Sequence, residues 1–600
     1  MFETGRKLRR LFDRREKMRA LLLFFAMVLG ALLEMAGVGA IPAFVATLTN
    51  PDMLRDHPIG SSILGWFGAE TDAEITVLAG AVLAVVFVSK AAYLTALAWT
   101  TNRLVFGWQV SMAGRLLGHY LRQPYAFHLR RNSSELLHNT NNDAMGVVSG
   151  VVLPSLKIGM EVLTLTAIFA LLLWVEPVTS LAALGILGGT SYVFARVVRT
   201  RVIRLGKEER IQREEMIRAV NEGLGGVKMT KVLGRESHFL GRFNEAARAF
   251  AEVGMIRSVL ADLPRLVLEV VAVLGLLAVA AYFLASGGET ETLVPVLALL
   301  AVSVARMIPA FNRIVHGLNM TRWGKASLDA VYADLIESGG EEGSSDAVPP
   351  LSEQICLDDV TFTYEGTEAP VLRHIDLEIA RGEAVGLVGP TGSGKTTLVD
   401  LVLGLLVPTR GRVLVDGEDL TGRETGWRRQ VGYIPQDIFL ADVSIRENVA
   451  FGVRRDDIDD DAVWLALERA QLAEFVRSLP KRLDTAVGER GVRVSGGQRQ
   501  RIGIARALYD EPEVLVMDEA TSALDHETEQ VVMAAIERLK GGRTLILIAH
   551  RLSTVESCDR VVLIRDGSLV AQGPPSEILP LTSSSGRGAH PAPAASSRGA

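Results

Sequence analysis

The N-terminal half of the chain contains six long apolar runs, and no other feature constrains its fold as strongly. A helix needs about 20 mostly apolar residues to cross the hydrocarbon core of a membrane. Six stretches are long enough: 20–48, 75–101, 145–175, 178–198, 266–285 and 292–312. The first run is longer than the apolar region of a signal peptide, so we interpret it as a retained helix. The sequence therefore predicts an all-helical membrane domain with six spans over residues 1–336.

The C-terminal part of the chain has the composition of a soluble domain. A polar segment rich in Gly and Ser at 337–350 is typical of a linker, and a soluble domain is predicted over 351–581. The remaining stretch, 582–600, has almost nothing to bury and is predicted to be disordered. The two cysteines imply no disulfide framework, and a formal net charge of −6 argues against a nucleic-acid partner.

The distribution of Lys and Arg predicts the orientation of the spans. Basic residues are frequent before the first span and in the connections 103–131 and 196–257. The connection 49–74 has only Arg55, and the two short turns after spans three and five have no basic residue. By the positive-inside rule, both termini and the soluble domain lie in the cytosol. The long basic connections are also amphipathic, so we expect spans two to five to continue as helices beyond the membrane.

A glycine-rich motif in the soluble part has the pattern of a phosphate-binding loop. Its residues are Gly389, Pro390, Thr391, Gly392, Ser393, Gly394, Lys395, Thr396 and Thr397. An apolar stretch suited to a strand precedes the motif, and a helix-like stretch follows it, which is the context that such a loop requires. Its backbone N–H groups would surround the phosphates, with Lys395 near the β- and γ-phosphates and Thr396 as a ligand of Mg²⁺. The motif therefore predicts a site for ATP and Mg²⁺.

A second motif is an apolar run that ends in two carboxylates, Asp518 and Glu519. Ligands of open α/β sheets bind at the carboxyl ends of the strands, where these two side chains are expected. Asp518 suits Mg²⁺, and Glu519 suits a base that activates water. Taken alone, the same pattern also fits a buried strand that simply reaches solvent.

Further motifs occur in the order typical of ATP-binding cassettes. Residues 494–498 read VSGGQ and resemble the signature of these proteins, with Val494 where Leu is usual. The resemblance covers the whole soluble domain and implies a role for each matching residue. Tyr364 stacks on adenine; Gln436, Glu519 and His550 are catalytic; Thr396, Gln436 and Asp518 hold Mg²⁺; Asp525, Ser495, Gly496, Gly497 and Gln498 contact ATP.

The order of the two domains resembles that of an exporter half-transporter. The implied fold is a six-helix membrane domain (type I exporter, or type IV ABC fold) fused to a cytosolic α/β P-loop domain that hydrolyses ATP. In this family the signature of one subunit completes the ATP site of the other, so the chain is expected to act as a dimer. Because every catalytic motif is intact, the resemblance favours a homodimer.

Three segments of the membrane half resemble PglK-type flippases of lipid-linked oligosaccharides. They are 123–139, 222–236 and 306–319. The resemblance implies a bacterial inner-membrane protein that flips a polyprenyl-pyrophosphate-linked glycan among membrane lipids. The first two segments lie where short helices meet the cassette, so they also fit a docking role. A lipid, drug or peptide exporter and a non-transporting ATPase that acts as a sensor or channel remain open alternatives.

Charges inside the predicted spans are candidates for the substrate site. Glu34, Lys90, Glu161 and Arg306 lie at similar depths, ~21–22 Å from the outer surface at 1.5 Å per residue. A charge at the centre of the membrane costs about 2.5–3.5 kcal/mol, so these four should face the bundle interior. They could pair with one another and only hold the helices in register.

Arg306 also allows a functional interpretation. Arg313 lies seven residues further on and shares the same helical face. Two guanidinium groups on one face suit a phosphate-bearing substrate. Arg265 and Lys90 are further candidates for substrate contact, although Arg265 lies near the cytosolic end of its span and could pair with Glu269.

Overall fold

The computed structural model describes residues 2–56, 58–175, 211–285, 290–337, 348–488, 494–518, 542–549 and 552–583, together with isolated positions between these ranges. The chain divides into two compact units. One comprises Met1–Tyr120 with Ser134–Gly339, and the other comprises Leu121–Ser133 with Gly340–Ala600. The predicted linker and C-terminal tail lie largely outside the described residues.

The described residues of the first unit form helices joined by short turns. The helices of the first 340 residues whose two ends are both described are α1 (Phe2–Leu11), α2 (Arg14–Thr49), α3 (Asp52–Asp56), α4 (Pro58–Phe67), α5 (Asp72–Leu121), α6 (Tyr125–Arg130), α7 (Ser133–His138), α8 (Ala144–Val147), α9 (Leu153–Val175), α10 (Val227–Val232), α11 (Glu236–Ala285), α12 (Thr290–Trp323) and α13 (Lys325–Tyr332). Three π-helical segments, Asn139–Asp143, Val148–Val152 and Ala333–Glu337, adjoin them.

Four helical segments among the described residues are long and apolar enough to cross a membrane. They are Arg14–Leu48, Asp72–Leu121, Glu135–Trp174 and Leu297–Ile336, and they coincide with predicted spans one, two, three and six. The predicted span 178–198 lies outside the described residues apart from isolated positions. The predicted span 266–285 falls within α11, whose side chains are described only in part.

Helices α5 and α11 extend well beyond the thickness of a membrane. Each is 50 residues long, or about 75 Å at 1.5 Å per residue. A hydrocarbon core is only about 30 Å thick. The expected continuation of the spans as helices is therefore present in both.

The membrane unit packs through apolar side chains and close glycine contacts. Val38, Ile168 and Met307 belong to one buried cluster that joins α2, α9 and α12. Where the π-helical segment before α9 meets the end of α12, a methyl group on Gly150 would lie 2.9 Å from the Cα of Gly324. Small residues let helices approach this closely where apolar burial alone gives little driving force.

Helix α1 is an element that the apolar runs did not predict. Leu11 at its end is buried, and the Phe12 ring lies 5.0 Å from that of Trp108 in α5. Lys7 pairs with Asp329 of α13 at 2.6 Å, and Lys325 of α13 donates to Glu3 at 3.3 Å. Helix α1 is therefore attached to the helix that follows α12.

The described residues of the second unit form two β-sheets. Its strands are β1 (Gln354–Phe362), β2 (Leu372–Ala380), β3 (Ala384–Val388), β4 (Arg410–Val415), β5 (Glu418–Asp419), β6 (Val431–Ile434), β7 (Val514–Asp518), β8 (Thr544–Ile548), β9 (Arg560–Arg565) and β10 (Ser568–Gly573). An antiparallel sheet has the order β2-β1-β4-β5, and a second sheet has the order β10-β9-β3-β8-β7-β6. In the second sheet only the β9–β10 pair is antiparallel.

Helices cover the six-stranded sheet, whose central strands are almost entirely apolar. These helices are α14 (Lys395–Val402), α15 (Glu424–Arg428), α16 (Ile445–Val449), α17 (Asp460–Arg469), α18 (Ala473–Ser478), α19 (Gly496–Leu508), α20 (Leu552–Val555) and α21 (Pro575–Ser583). Every residue of β3, β7 and β8 is buried. Parallel strands buried on both faces require such continuous apolar runs.

Helix α6 belongs to the second unit, although its sequence lies between the second and third predicted spans. The Tyr125 ring packs against the core of this unit beside Tyr364. Arg130 at the end of α6 pairs with Glu365 at 2.5 Å. The segment that was expected to meet the cassette therefore lies against the loop that carries Tyr364.

Candidate functional site

The phosphate-binding loop joins β3 to α14, as its sequence predicts. Gly389, Gly392 and Gly394 have φ angles of 152°, 82° and 100°. A methyl group on Gly389 would lie 2.1 Å from the carbonyl oxygen of Ile564, so no larger residue fits there. Lys395 Nζ donates to the carbonyl oxygens of Gly389, at 2.9 Å, and of Pro390. The backbone forms the tight concave loop that phosphate groups require.

Asp518 ends β7 at the carboxyl edge of the six-stranded sheet and is buried. Beside it lies a second carboxyl, Asp400 of α14, which is 9% exposed. Burial and the neighbouring Asp518 carboxylate raise the pKa of Asp400 to about 6. The motifs did not identify Asp400, although its position four residues after Thr396 placed it on the same helical face. A divalent cation beside Asp518 would relieve the repulsion between these two acids.

Tyr364 lies at the same edge, next to the phosphate-binding loop. Its hydroxyl group is 3.1 Å from Thr397 Oγ1, and its ring contacts Phe362 edge-on at 4.9 Å. Gln436 follows β6 and is exposed at the carboxyl side of that strand. The structure thus places Tyr364 beside the phosphate-binding loop. It places Gln436 just after β6 and Asp518 at the end of the neighbouring strand β7.

The signature segment forms the N-terminus of α19. Ser495 is the N-cap: its Oγ accepts a hydrogen bond from the Gln498 backbone N–H at 3.2 Å, and Gln498 Oε1 accepts one from the Ser495 N–H at 2.9 Å. Ser495 and Gly496 are exposed. A capped, exposed helix N-terminus is suited to bind an anion that approaches from outside. The side chain of Gln498 closes this cap.

Several sequence-predicted residues cannot be placed in this geometry. Glu519, Asp525 and His550 lie outside the described residues, as does the side chain of Arg265. Their roles remain predictions.

A polar cavity of about 230 Å³ lies within the membrane unit, and it brings together the charges that the spans contain. It is lined by Glu34, Met160, Glu161, Thr164, Arg306 and Arg313. Arg306 donates to both carboxylate oxygens of Glu34, with a distance of 2.9 Å from Nε to Oε2. Arg313 donates to both oxygens of Glu161, at 2.5 and 3.0 Å. Lys90 Nζ lies 3.5 Å from Glu34 Oε2.

Ion pairing, one of the two interpretations of the charge depth, is therefore present, with Arg313 as an additional member, and it leaves an excess of positive charge. Three cations, including Lys90, face two acids, Glu34 and Glu161, for a formal charge of +1. Each arginine uses its Nε and Nη2 atoms toward the acid. Within the part of the chain that the structure describes, Nη1 of Arg306 and of Arg313 makes no hydrogen bond. Both guanidinium groups thus keep donors for an oxyanion.

Two family patterns cover most of the chain. The ABC transporter transmembrane region matches residues 19–306, and the ABC transporter pattern matches residues 372–522. This chain belongs to the ABC transporter family. It is an exporter-type half-transporter, with one membrane domain and one nucleotide-binding domain, and it couples ATP hydrolysis to transport.

Relatives of this ABC transporter include several flippases. It is 31% identical, over 92% of its length and 90% of the relative, to the ATP-dependent lipid A-core flippase of Burkholderia orbicola. It is 32% identical to the protein of the same name from Ralstonia nicotianae, over 80% of this chain and 81% of that protein. Its fold is similar to that of a bacterial Atm1-family ABC exporter with ATP bound, with a TM-score of 0.73, 24% identity and coverage of 95% and 97% of the two chains.

Proposed function

We propose that this ABC transporter flips a lipid-linked substrate across the bacterial inner membrane, and that the substrate is a polyprenyl-pyrophosphate-linked oligosaccharide. Both termini and the nucleotide-binding domain lie in the cytosol, and Mg²⁺-ATP drives the reaction. The observation that carries the proposal is the polar cavity with its two arginines. A second candidate is a lipid A-core substrate, which the names of the relatives favour.

The cavity fits the head group of such a substrate better than a neutral drug. Arg306 and Arg313 lie one heptad apart on α12, or about 10.5 Å along the helix axis. Glu34 and Glu161 hold the two guanidinium groups by one edge and leave Nη1 for the ligand. Fixed, planar donors of this kind suit phosphate oxygens. Lys90 and Arg265 are further candidates for contact with the same head group.

The nucleotide-binding domain would supply the energy through the residues at its sheet edge. The phosphate-binding loop holds the phosphates, Tyr364 stacks on adenine, and Thr396, Gln436 and Asp518 hold Mg²⁺, which neutralises charge on the phosphates. Glu519 accepts a proton from the attacking water, and His550 contacts the γ-phosphate. Ser495, Gly496, Gly497 and Asp525 act on the ATP held by the other subunit.

A second copy of the chain is the proposed partner. Helix α10, at the tip of the second long connection, exposes apolar side chains, including Met229 and Val232, which is 74% exposed. Exposed apolar clusters of this kind mark protein contacts. The exposed N-terminus of α19 would likewise bind the phosphates of an ATP molecule that another subunit holds. A homodimer would cover both surfaces.

The proposal is tested by flipping and ATPase assays in proteoliposomes. The substrates are an undecaprenyl-pyrophosphate oligosaccharide, lipid A-core and a neutral amphipathic drug. We expect the pyrophosphate substrate to stimulate ATP hydrolysis and to be flipped, and the drug to do neither. Arg306→Ala with Arg313→Ala should abolish flipping and leave basal ATP hydrolysis intact. Lys157→Ala, which removes an exposed cation of α9 that does not line the cavity, is the control.

Two results would contradict the assignment. Normal flipping by the double variant would exclude the arginines as the head-group site. Loss of folding that is restored by Glu34→Gln with Glu161→Gln would show that the ion pairs only stabilise the bundle. Stimulation by lipid A-core alone would favour the second candidate.

A further inference from the structure

Six exposed cations surround the junction of α1 and α2, and we refer to them as the basic belt. They are Arg6, Arg9, Arg14, Arg15, Lys17 and Arg19. Within the described part of the chain, none of the six has an ion pair or a side-chain hydrogen bond. The belt therefore carries six positive charges that the protein itself does not neutralise.

The acids of the same segment have partners other than the six cations of the belt, and Asp13 pairs with Arg115 at 3.5 Å. Glu3 contacts Lys7 and Lys325 of α13. Glu16 is buried and accepts a hydrogen bond from the Asp13 N–H, and Asp13 caps α2. Among the described side chains, none of the three acids therefore forms an ion pair with a cation of the belt.

The belt adjoins side chains that are suited to lipid. Leu22 and Phe25 of α2 are 63% and 62% exposed, and Met18 between the cations is also exposed. Exposed apolar residues on a membrane-spanning helix face lipid chains, so the cations that precede them lie at the level of the head groups. Clusters of four to eight Lys and Arg next to a spanning helix favour anionic lipids.

We propose that the basic belt binds anionic phospholipid head groups and that this contact regulates the ATPase. Helix α1 connects the belt to α13, because Lys7 pairs with Asp329 of α13 and Arg10 donates to the Tyr332 hydroxyl at 2.7 Å. Helix α13 follows α12 directly and precedes the segment that leads to the nucleotide-binding domain. A lipid surface that holds α1 therefore also holds the helix before that domain.

The test compares the full chain in vesicles of phosphatidylcholine with the chain in vesicles of equal parts phosphatidylcholine and phosphatidylglycerol. We expect faster ATP hydrolysis in the anionic vesicles and loss of the difference at high salt. In a variant with Arg6, Arg9, Arg14 and Arg15 replaced by Gln, the phosphatidylglycerol needed for half-maximal stimulation should rise roughly tenfold or more. The control variant replaces Arg410, Lys481, Arg482 and Arg538, which are exposed cations of the other unit, by Gln.

Equal stimulation of the belt variant and the wild type would overturn the proposal, as would equal activity of the wild type in both vesicles. Stimulation by inorganic phosphate at matched ionic strength would indicate a general anion site instead of a lipid surface. Retention of phosphatidylglycerol by the purified chain gives a second readout that needs no ATP hydrolysis. Because no transported substrate is added, failure of the proposed flippase activity would not affect the result.

Discussion

At the scale of single residues, the nucleotide site combines backbone geometry with a strained pair of carboxyl groups. Gly389 is required because any side chain would overlap a carbonyl oxygen. Asp400 and Asp518 lie close together in a buried place, so the charged form of Asp400 is disfavoured. Ionisation of Asp400 is therefore unfavourable in the folded chain.

The carboxyl of Asp400 should make the stability of the nucleotide-free chain depend on pH. Its pKa is raised from 3.8 to about 6, so the folded state holds this proton more tightly than the unfolded state. Its contribution to the free energy of unfolding therefore falls as the pH rises from about 4 to about 6, by up to ~3 kcal/mol. Asp400→Asn should raise the thermal midpoint at pH 8, with a gain that shrinks toward pH 5.

This prediction is checked by thermal melting of the solubilised chain in the presence of a chelator. Asp442→Asn, which changes an exposed acid, provides the matched control. If Asp400→Asn raised the thermal midpoint by the same amount at pH 5 and at pH 8, the electrostatic explanation would be contradicted.

Glu519→Gln should abolish ATP turnover and preserve ATP binding. The amide has nearly the same shape as the carboxylate but accepts no proton from water. Nucleotide binding by the purified variant, measured together with phosphate release, checks this. Phosphate release at the wild-type rate would remove Glu519 from the role of base.

At the scale of elements, the long membrane helices depend on local irregularities. The helical segment Glu135–Trp174, which includes most of the third predicted span, contains two π-helical segments. The second of them brings Gly150 against Gly324. A π-helical turn displaces the residues that follow it around the axis, which is how such segments adjust helix contacts. The glycine contact joins the start of α9 to the end of α12.

Gly150→Ala should destabilise the membrane unit, although Ala is normally the better helix former. The new methyl group would lie 2.9 Å from the Gly324 Cα, so the helices must separate, at a cost of about 1–3 kcal/mol. Gly159→Ala in α9 is the matched control, because its methyl group would meet nothing within 4 Å. Melting temperatures of the two variants in detergent test this, and equal values would refute the glycine contact.

At the scale of the whole molecule, one chain carries incomplete surfaces. The N-terminus of α19 is capped and exposed, and α10 presents apolar side chains to solvent. Both surfaces are exposed in the single chain. In the proposed homodimer, the second copy presents its bound ATP to the N-terminus of α19 and covers the apolar side chains of α10.

Shared ATP sites predict a dominant-negative effect of Ser495→Arg. The added bulk and positive charge at the helix N-terminus would obstruct the ATP bound by the other subunit. When equal amounts of wild-type and variant chains are co-expressed, the ATPase activity, relative to that of wild-type chains alone, should be lower than the fraction of wild-type chains in the mixture. Co-purification of differently tagged chains confirms that mixed dimers form. Activity proportional to the wild-type fraction in such mixtures would exclude shared sites.

The sequence by itself determined the features that depend on local pattern. Apolar length predicted the spans that coincide with α2, α5 and α12, and the spacing of glycines predicted the loop between β3 and α14. Such patterns can be read from a sequence because the thickness of a membrane sets the length of an apolar helix, and a tight loop around phosphate groups requires glycines.

Only the tertiary structure decided how distant residues meet. The sequence placed Glu34, Glu161, Arg306 and Arg313 in the spans, but not which acid holds which arginine. The spacing of Asp400 from Thr396 put both on one helical face, but the sequence did not show that Asp400 lies beside Asp518. Such contacts join residues from different helices or strands, and their partners depend on how those elements pack. Helix packing turns on close contacts such as Gly150 against Gly324, which leave no periodic signal in the sequence.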